Sequence, residues 1–231
     1  MRPRALGAAA LLLPAAVAAT VLAPLQLGGD WRVVGLPKQR FPLTRFAIAM
    51  VDGAPALRID AEGSYGNLVH AVPGGEGRTL RWRWRVDRPQ AGADLRRKEA
   101  DDTALKVCAL FRLPLEALPF WERQKMRLAR SVSGEDLPAA TLCYVWDAML
   151  PAGTLLPNAY TPRLRWMVLQ GAGAPLATWR GESRDLHADF LRAFGDEARD
   201  VPPLQAIAVG ADGDNTDGSS QAFVADLVLE R

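Results

Sequence analysis

One group of charged residues in this sequence could bind a polar ligand. Arginine donates hydrogen bonds from a planar fork and a carboxylate accepts them, so together they satisfy both halves of a sugar hydroxyl group. The same side chains would form an internal network of Arg–Asp pairs if they were buried, because buried charges must be paired. Seven candidates for ligand binding come from three segments: Arg83, Arg85, Asp101, Asp102, Arg184, Asp185 and Asp189.

A second group is the acidic turn formed by residues 212–218. Its candidates for a metal site are Asp212, Asp214 and Asp217, because calcium is bound by several carboxylate and carbonyl oxygens. The spacing does not fit a helix–loop–helix calcium loop, since Asp217 stands where the glycine belongs and Phe223 stands where the final glutamate belongs. A plain hairpin turn capped by Asp and Asn side chains explains the same residues. Apart from calcium, we expect no cofactor.

Signals for enzymatic catalysis are few. The two histidines, His70 and His187, belong to no metal-ligand spacing and to no nucleophile motif, and no phosphate-binding loop occurs. Glycoside hydrolysis remains open because it requires only two carboxylates at a suitable separation. The candidates for that chemistry are Asp101, Asp102, Asp185 and Asp189.

The element that would position the arginines is the segment 79–87, in which apolar and polar residues alternate. Successive side chains of a strand point to opposite faces, so Trp82 and Trp84 share one face while Arg83 and Arg85 share the other. This pattern predicts a central strand of an antiparallel sheet with one packed face. The arginine face is then either solvent-exposed or the floor of a groove.

Similar patterns continue along the chain. Alternating segments around the turn at 52–53 predict a hairpin with a loop of three or four residues that contains Pro55. The insertion 112–140 has a helical stretch at about 120–131, and Ser183 or Asp185 can cap a helix that ends near Gly195. About nine or ten strands separated by turns indicate an all-β fold, an antiparallel jelly-roll β-sandwich with one or two short surface helices and a single domain over 24–231.

The N-terminal segment 1–19 is typical of a secretory signal peptide. Arg2 and Arg4 precede an apolar, alanine-rich run, and small residues offer cleavage after Ala18 or Ala19. The alternative is an uncleaved membrane anchor, because the run is close to the ~18 residues that span a bilayer. We therefore expect a periplasmic or secreted protein that contacts the membrane only if this segment is retained.

Charge balance argues against a nucleic-acid-binding protein. The chain has 28 basic and 26 acidic residues, and removal of Arg2 and Arg4 with the signal segment leaves equal numbers. A nucleic-acid-binding domain is expected to have a net basic surface.

The two cysteines, Cys108 and Cys143, are candidates for a disulfide bond in an exported protein. In each strand the cysteine lies opposite the large apolar side chains, so both thiols could share one outer face of neighbouring strands. Two free, half-buried thiols are the alternative, because a bridge requires a Cα separation below about 7 Å.

Several short motifs together resemble one bacterial family. They are Trp82-Arg83-Trp84-Arg85-Val86-Asp87, Asp101-Asp102, Cys143-Tyr144-Val145-Trp146, Pro157-Asn158-Ala159-Tyr160-Thr161, Arg184-Asp185, Asp189-Phe190, Phe194-Gly195 and Asp212 to Asp217. From about Trp31 to the C-terminus the chain resembles DUF3047, a domain of unknown function. The resemblance implies a secreted or periplasmic protein and no established activity. The strand order also resembles jelly-roll carbohydrate-binding modules, in which a residue placed like Asp226 is a further candidate metal ligand.

These observations support three functional hypotheses. The first is an exported, non-catalytic protein that binds a glycan or cell-envelope component on a polar sheet face, in a groove with exposed aromatics beside Arg83 and Arg85. The second is a polysaccharide-acting hydrolase with two carboxylates facing one cleft about 5 to 10 Å apart. The third is a structural or assembly partner in the envelope, with an exposed apolar patch.

Overall fold

The computed structural model describes residues 21–23, 25–133 and 136–231, so the predicted signal peptide at 1–19 lies outside the described residues. The described chain contains two α-helices, α1 (Phe120–Ser133) and α2 (Leu186–Phe194). It contains twelve strands: β1 (Trp31–Val34), β2 (Arg45–Val51), β3 (Ala54–Glu62), β4 (Tyr65–Ala71), β5 (Thr79–Arg88), β6 (Leu105–Phe111), β7 (Ala140–Trp146), β8 (Leu155–Pro157), β9 (Leu164–Gln170), β10 (Arg180–Asp185), β11 (Leu204–Asp212) and β12 (Ser219–Glu230).

The strands form two sheets. The larger has seven strands in the order β1-β4-β11-β6-β7-β9-β8, and the smaller has five in the order β10-β5-β12-β3-β2. The all-β jelly-roll sandwich with short helices is thereby confirmed. One pair departs from the expected antiparallel arrangement, because β7 and β9 are parallel. The chain makes this possible by crossing to the sheet edge as β8, which pairs antiparallel with β9.

The main core lies between the two sheets, and large aromatic side chains fill its centre. Trp82 and Trp84 of β5 contact Tyr144 and Trp146 of β7, with ring centroids 5.3 Å apart for Trp82–Tyr144 and 5.9 Å apart for Trp84–Trp146. All four side chains are buried. The predicted packed face of β5 is confirmed, and β5 lies inside the five-stranded sheet, paired antiparallel with β10 and β12.

The hairpin between β2 and β3 is tighter than the sequence predicts. Its turn consists of Asp52 and Gly53 alone, with φ angles of 51° and 81°. Two positive φ angles are the geometry of a two-residue turn that follows the twist of the strands. Pro55 lies inside β3, paired with Met50. The prediction of a loop of three or four residues that contains Pro55 is therefore wrong.

Helix α2 confirms the predicted cap and end. The Asp185 carboxylate accepts hydrogen bonds from the backbone N–H groups of His187 and Ala188, and the helix ends before Gly195. The six residues before it form β10, a strand that the sequence pattern did not predict. Helix α1 lies in the 112–140 insertion, as expected. No helix in the described part of the chain is long and apolar enough to cross a bilayer.

The outer face of the seven-stranded sheet is covered over part of its area. Leu95, from the loop between β5 and β6, and Leu150, from the loop between β7 and β8, belong to a second apolar cluster that includes Trp166 and Val168 of β9. Strand β7 is therefore buried along its whole length, on both faces. The part of this face that the loops leave uncovered forms a groove.

Candidate functional site

The groove on the outer face of the seven-stranded sheet has a volume of about 810 Å³. Side chains of β4, β11, β6 and β7 form its floor, and the segments 29–37 and 136–138 line it as well. Neighbouring strands are about 4.8 Å apart, so the path from β4 to β7 is about 14 Å long. Clefts that bind small ligands enclose about 300 to 1,000 Å³, and the groove lies in this range.

The floor of the groove is apolar and built from small and medium side chains. Its apolar residues include Val69, Leu110, Ala206 and Ala208. The cysteines also line the groove, and they face each other in the register of β6 and β7. The structure joins Cys108 and Cys143 by a disulfide bond, with their Cα atoms 4.0 Å apart. The bridge fixes two adjacent strands of the floor to each other.

Polar side chains surround this floor. Tyr65, Asn67, Thr141 and Gln205 line the groove on several sides. The Asn67 amide donates a hydrogen bond to the Tyr65 hydroxyl group at 3.1 Å, and the Gln205 amide donates to the backbone oxygen of Asp136 at 2.8 Å. These contacts fix the orientation of both amide groups. Each amide still has a further donor and an acceptor that these two contacts do not use.

The rim of the groove carries a cation and an anion that no other described residue pairs. Arg32 of β1 and Asp30, in the turn before it, line the groove and are exposed. Neither side chain has a hydrogen bond or an ion pair with another described residue. A planar guanidinium donor and a carboxylate acceptor are thus free at the same rim, which is the chemistry needed to bind hydroxyl-rich ligands.

A buried ion pair stands at one end of the groove. Lys106 lines the groove, and its Nζ lies 2.7 Å from Oδ2 of Asp212, with only 4% and 6% of the two side chains exposed. The same Nζ lies 4.7 Å from the ring centroid of Tyr65 and 5.9 Å from that of Trp166. Burial lowers the pKa of Lys106, but the charge of Asp212, the hydrogen bond to it and the other nearby acidic groups together outweigh burial. The net pKa is raised and the ammonium is retained.

Beyond Lys106 the structure brings four carboxyl groups together. One oxygen each of Asp102, Asp212 and Asp214 lies within 4.8 Å of the others. Asp101 stands beside this group and is buried. Burial and then repulsion by Asp212 raise the pKa of Asp101 to about 6, and the same two causes raise the pKa of Asp214 to about 6. None of these four residues lines the groove itself.

The arginines predicted to bind ligand lie on the other side of the molecule. Arg83 and Arg85 are on the outer face of the five-stranded sheet, and neither lines the pocket of about 520 Å³ beside β2, β3 and β12 that includes Asp226. Arg83 Nε is 2.6 Å from Asp226, and Arg85 is paired with both Asp87 and Asp52. Their guanidinium groups also lie over the rings of Trp179 and Phe223. The structure therefore separates these two arginines from Asp101 and Asp102.

The remaining predicted residues have internal roles. Arg184 lies opposite Leu80 in the sheet register, so its side chain is on the inward face of β10. It donates two hydrogen bonds to Asp189, which also accepts one from the Tyr144 hydroxyl group at 2.8 Å. This network connects α2 to both sheets. It is the internal network of Arg–Asp pairs that the sequence offered as the alternative to ligand binding. Asp185 caps α2 and is paired with Arg78.

The predicted metal residues are also only partly brought together. Asp212 and Asp214 are in the acidic cluster, but Asp217 is exposed in the turn and is not one of its members. Asp226 is paired with Arg83 on the outer face of the smaller sheet. The third carboxylate comes instead from Asp102, which is 110 positions away in sequence from Asp212.

Apart from Cys108 and Cys143, sequence reasoning singled out none of the groove residues as candidates. A usable signal was present in β6, where Lys106 is the one charged residue in the run Leu105–Phe111. A lysine in an otherwise apolar strand needs a buried partner or a polar cavity. No local signal marks Arg32 or Asp30, because their role depends on β1 pairing with β4.

A protein-family model now identifies the chain. The model described as a protein of unknown function, DUF3047, matches residues 29–228. The chain belongs to the DUF3047 family. This match covers both sheets, the groove and the acidic cluster. A comparison with curated protein sequences finds no match.

Solved structures with a similar fold include one binding module and two enzymes. A family 29 carbohydrate binding module is 12% identical, with 93% of this chain and 92% of that chain covered and a TM-score of 0.37. Trichoderma harzianum endoglucanase 3 of glycoside hydrolase family 12 is 9% identical, with 88% and 93% covered and a TM-score of 0.44. The xyloglucanase domain of a Sinorhizobium fredii type three effector, in complex with cellobiose, is 9% identical, with 87% and 93% covered and a TM-score of 0.43. At these identities and TM-scores the similarities assign no function to the chain.

Proposed function

We propose that this DUF3047 protein binds a glycan or another hydroxyl-rich cell-envelope component in the groove of the seven-stranded sheet, without catalysing its cleavage. The observation that carries the proposal is the open groove with Arg32 and Asp30 at its rim, neither of which is paired with another described residue. The apolar floor supports contact with the C–H faces of sugar rings, and Asn67, Thr141 and Gln205 supply donors and acceptors beside it.

The arrangement of the carboxyl groups favours binding over hydrolysis. Hydrolysis requires an acid and a second carboxylate that both face the bound sugar. The two carboxyl groups with raised pKa values, Asp101 and Asp214, do not line the groove. Among the described residues, two carboxylates line the groove, Asp30 and Asp136. Asp136 is paired with Arg130 at 3.0 Å, so Asp30 lacks the second free carboxylate that hydrolysis requires.

We also propose that the protein is exported to the periplasm or secreted. The Cys108–Cys143 disulfide supports this localisation, because disulfide bonds persist in oxidising compartments and are rare in the cytosol of mesophiles. Export would place the groove in contact with cell-envelope glycans.

The experiment is a thermal-unfolding scan of the full chain against cello-oligosaccharides, other soluble plant and bacterial glycans, and peptidoglycan fragments. A ligand that binds only the native state raises the melting temperature. We expect a reproducible increase with one glycan class, and we expect Arg32→Ala to remove it. No increase with any member of the panel would contradict glycan binding.

A second candidate function is that of an assembly partner in the envelope, and helix α1 favours it. Phe120, Trp121, Leu128 and Val132 of this helix are exposed by 58% to 74%. Trp121, Leu128 and Val132 lie on one side of the helix, since residues three, four, seven and eleven positions apart share a face. An exposed apolar stripe of this kind marks a surface for association. Trp121→Glu would abolish such association and leave glycan binding unchanged.

A further inference from the structure

The acidic cluster joins two segments that are far apart in sequence. Asp102 lies near the end of the long loop between β5 and β6, Asp212 ends β11, and Asp214 lies in the turn that leads to β12. Asp102 and Asp212 are almost fully buried, with 1% and 4% of each residue exposed. With Asp101 beside them, four carboxyl groups share one small region at the end of the sheet.

Some of these oxygens have donors within the protein. Asp102 accepts hydrogen bonds from the backbone N–H groups of Asn215 and Thr216 and from both of their side chains. Asp212 accepts from the backbone and side chain of Thr103 through one oxygen and from Lys106 through the other. Lys106 supplies one positive charge to this group of four carboxyl groups, so the cluster retains an excess of negative charge.

Two further oxygens have no donor. Oδ1 of Asp101 is buried and has no hydrogen-bond partner, although only 5% of this residue is exposed. Oδ1 of Asp214 is likewise buried without a partner. Buried carboxylate oxygens are nearly always paired, and an orphaned one points to a bound ion or water. A cation bound beside these two oxygens would satisfy both of them.

The chemical type of the ligand atoms indicates which class of cation the cluster would bind. Every candidate ligand atom is a carboxylate oxygen, and histidine and thiol ligands are absent from the cluster. Oxygen-only sites suit hard cations, whereas zinc and copper prefer nitrogen and sulfur ligands. Calcium takes six to eight oxygen ligands at 2.3–2.6 Å, so two of its ligands can be up to about 5 Å apart. The separation of 4.8 Å or less fits this limit.

We propose that Asp102, Asp212 and Asp214, with Asp101 beside them, bind one calcium ion. The ion ties the long loop between β5 and β6 to the turn between β11 and β12. It thereby fixes Asp212, the partner of Lys106 at the end of the groove. This site does not depend on which ligand occupies the groove.

The test uses the full chain, treated with chelator and then passed into metal-free buffer. Calcium at 100 times its dissociation constant is expected to raise the melting temperature by about 5 to 10 °C. Terbium, a calcium substitute, is expected to show emission sensitised by indole excitation, because Trp166 lies 5.9 Å from the ammonium that contacts Asp212.

Two variants in the same turn distinguish calcium binding at this site from general effects of salt. Asp214→Asn removes one ligand charge at a side chain that has no hydrogen bond with another described residue, and it is expected to weaken calcium binding at least tenfold. Asp217→Asn removes the same charge at an exposed position outside the cluster and is expected to leave binding unchanged. Absence of a calcium effect on the native chain would overturn the proposal, and so would an equal effect in both variants or with magnesium.

Discussion

Replacing Lys106 by methionine is expected to lower the free energy of unfolding by about 3 to 5 kcal/mol in the presence of chelator. Methionine retains most of the side-chain volume, so packing against Tyr65 and Trp166 changes little. The loss comes from Asp212, whose carboxylate would remain buried without its cation at 2.7 Å. For a chain of this length such a loss corresponds to a decrease in melting temperature of about 6 to 20 °C.

The assay is urea unfolding at pH 7, with Arg45→Met as the control. Arg45 and Glu62 form an ion pair at 3.2 Å, but 67% and 69% of their side chains are exposed, so its loss is expected to change stability little. The double variant Lys106→Met with Asp212→Asn is expected to regain part of the loss, because the uncompensated charge is gone. A loss below about 1 kcal/mol for Lys106→Met would refute the inference that this pair is buried and essential to the end of the groove.

Three further predictions concern the core, the disulfide and the acidic cluster. Trp84→Ala is expected to cost roughly 3 to 5 kcal/mol of stability, because it removes a fully buried aromatic ring; an unchanged melting profile would contradict the packing of β5 against β7. Replacing both Cys108 and Cys143 by alanine is expected to cost about 3 to 4 kcal/mol in urea unfolding, since the bridge closes a loop with a sequence separation of 35; a cost near zero would contradict the bridge. In chelator, Asp101→Asn is expected to stabilise the protein by an amount that grows from about pH 4 to pH 6. The pKa of Asp101 is raised to about 6 in the folded state, so the folded chain holds the proton that the unfolded chain releases and stability falls as the pH rises through this window. A difference between variant and native protein that does not change with pH would contradict this pKa.

The fold was predictable because its signals are local. The alternation in β5 specifies which side chains enter the core, and Asp185 specifies where α2 begins. Both features depend on neighbours within a few residues. The parallel pairing of β7 and β9 was not predictable in this way, because it results from how β8 crosses to the sheet edge.

The site was less predictable because it is assembled from distant segments. Alternation shows that Arg83 and Arg85 share a face, but it cannot show that carboxylates on neighbouring elements neutralise them. The sequence marks Asp102 and Asp212 as candidates for two separate sites, and they meet only when the loop before β6 packs against the end of β11. Arg32 becomes a rim residue only because β1 pairs with the edge of the seven-stranded sheet.

Binding in the groove is tested most directly by comparing two arginine variants on opposite sheets. The glycan class that gives the largest increase in melting temperature is titrated by calorimetry into the native chain, Arg32→Ala and Arg83→Ala. Loss of a charged hydrogen-bond donor is expected to weaken binding by about tenfold or more in Arg32→Ala. Arg83→Ala is expected to bind like the native protein, since Arg83 lies on the other face of the sandwich and is paired with Asp226. Unchanged affinity in Arg32→Ala, or a greater loss in Arg83→Ala, would contradict ligand binding in this groove.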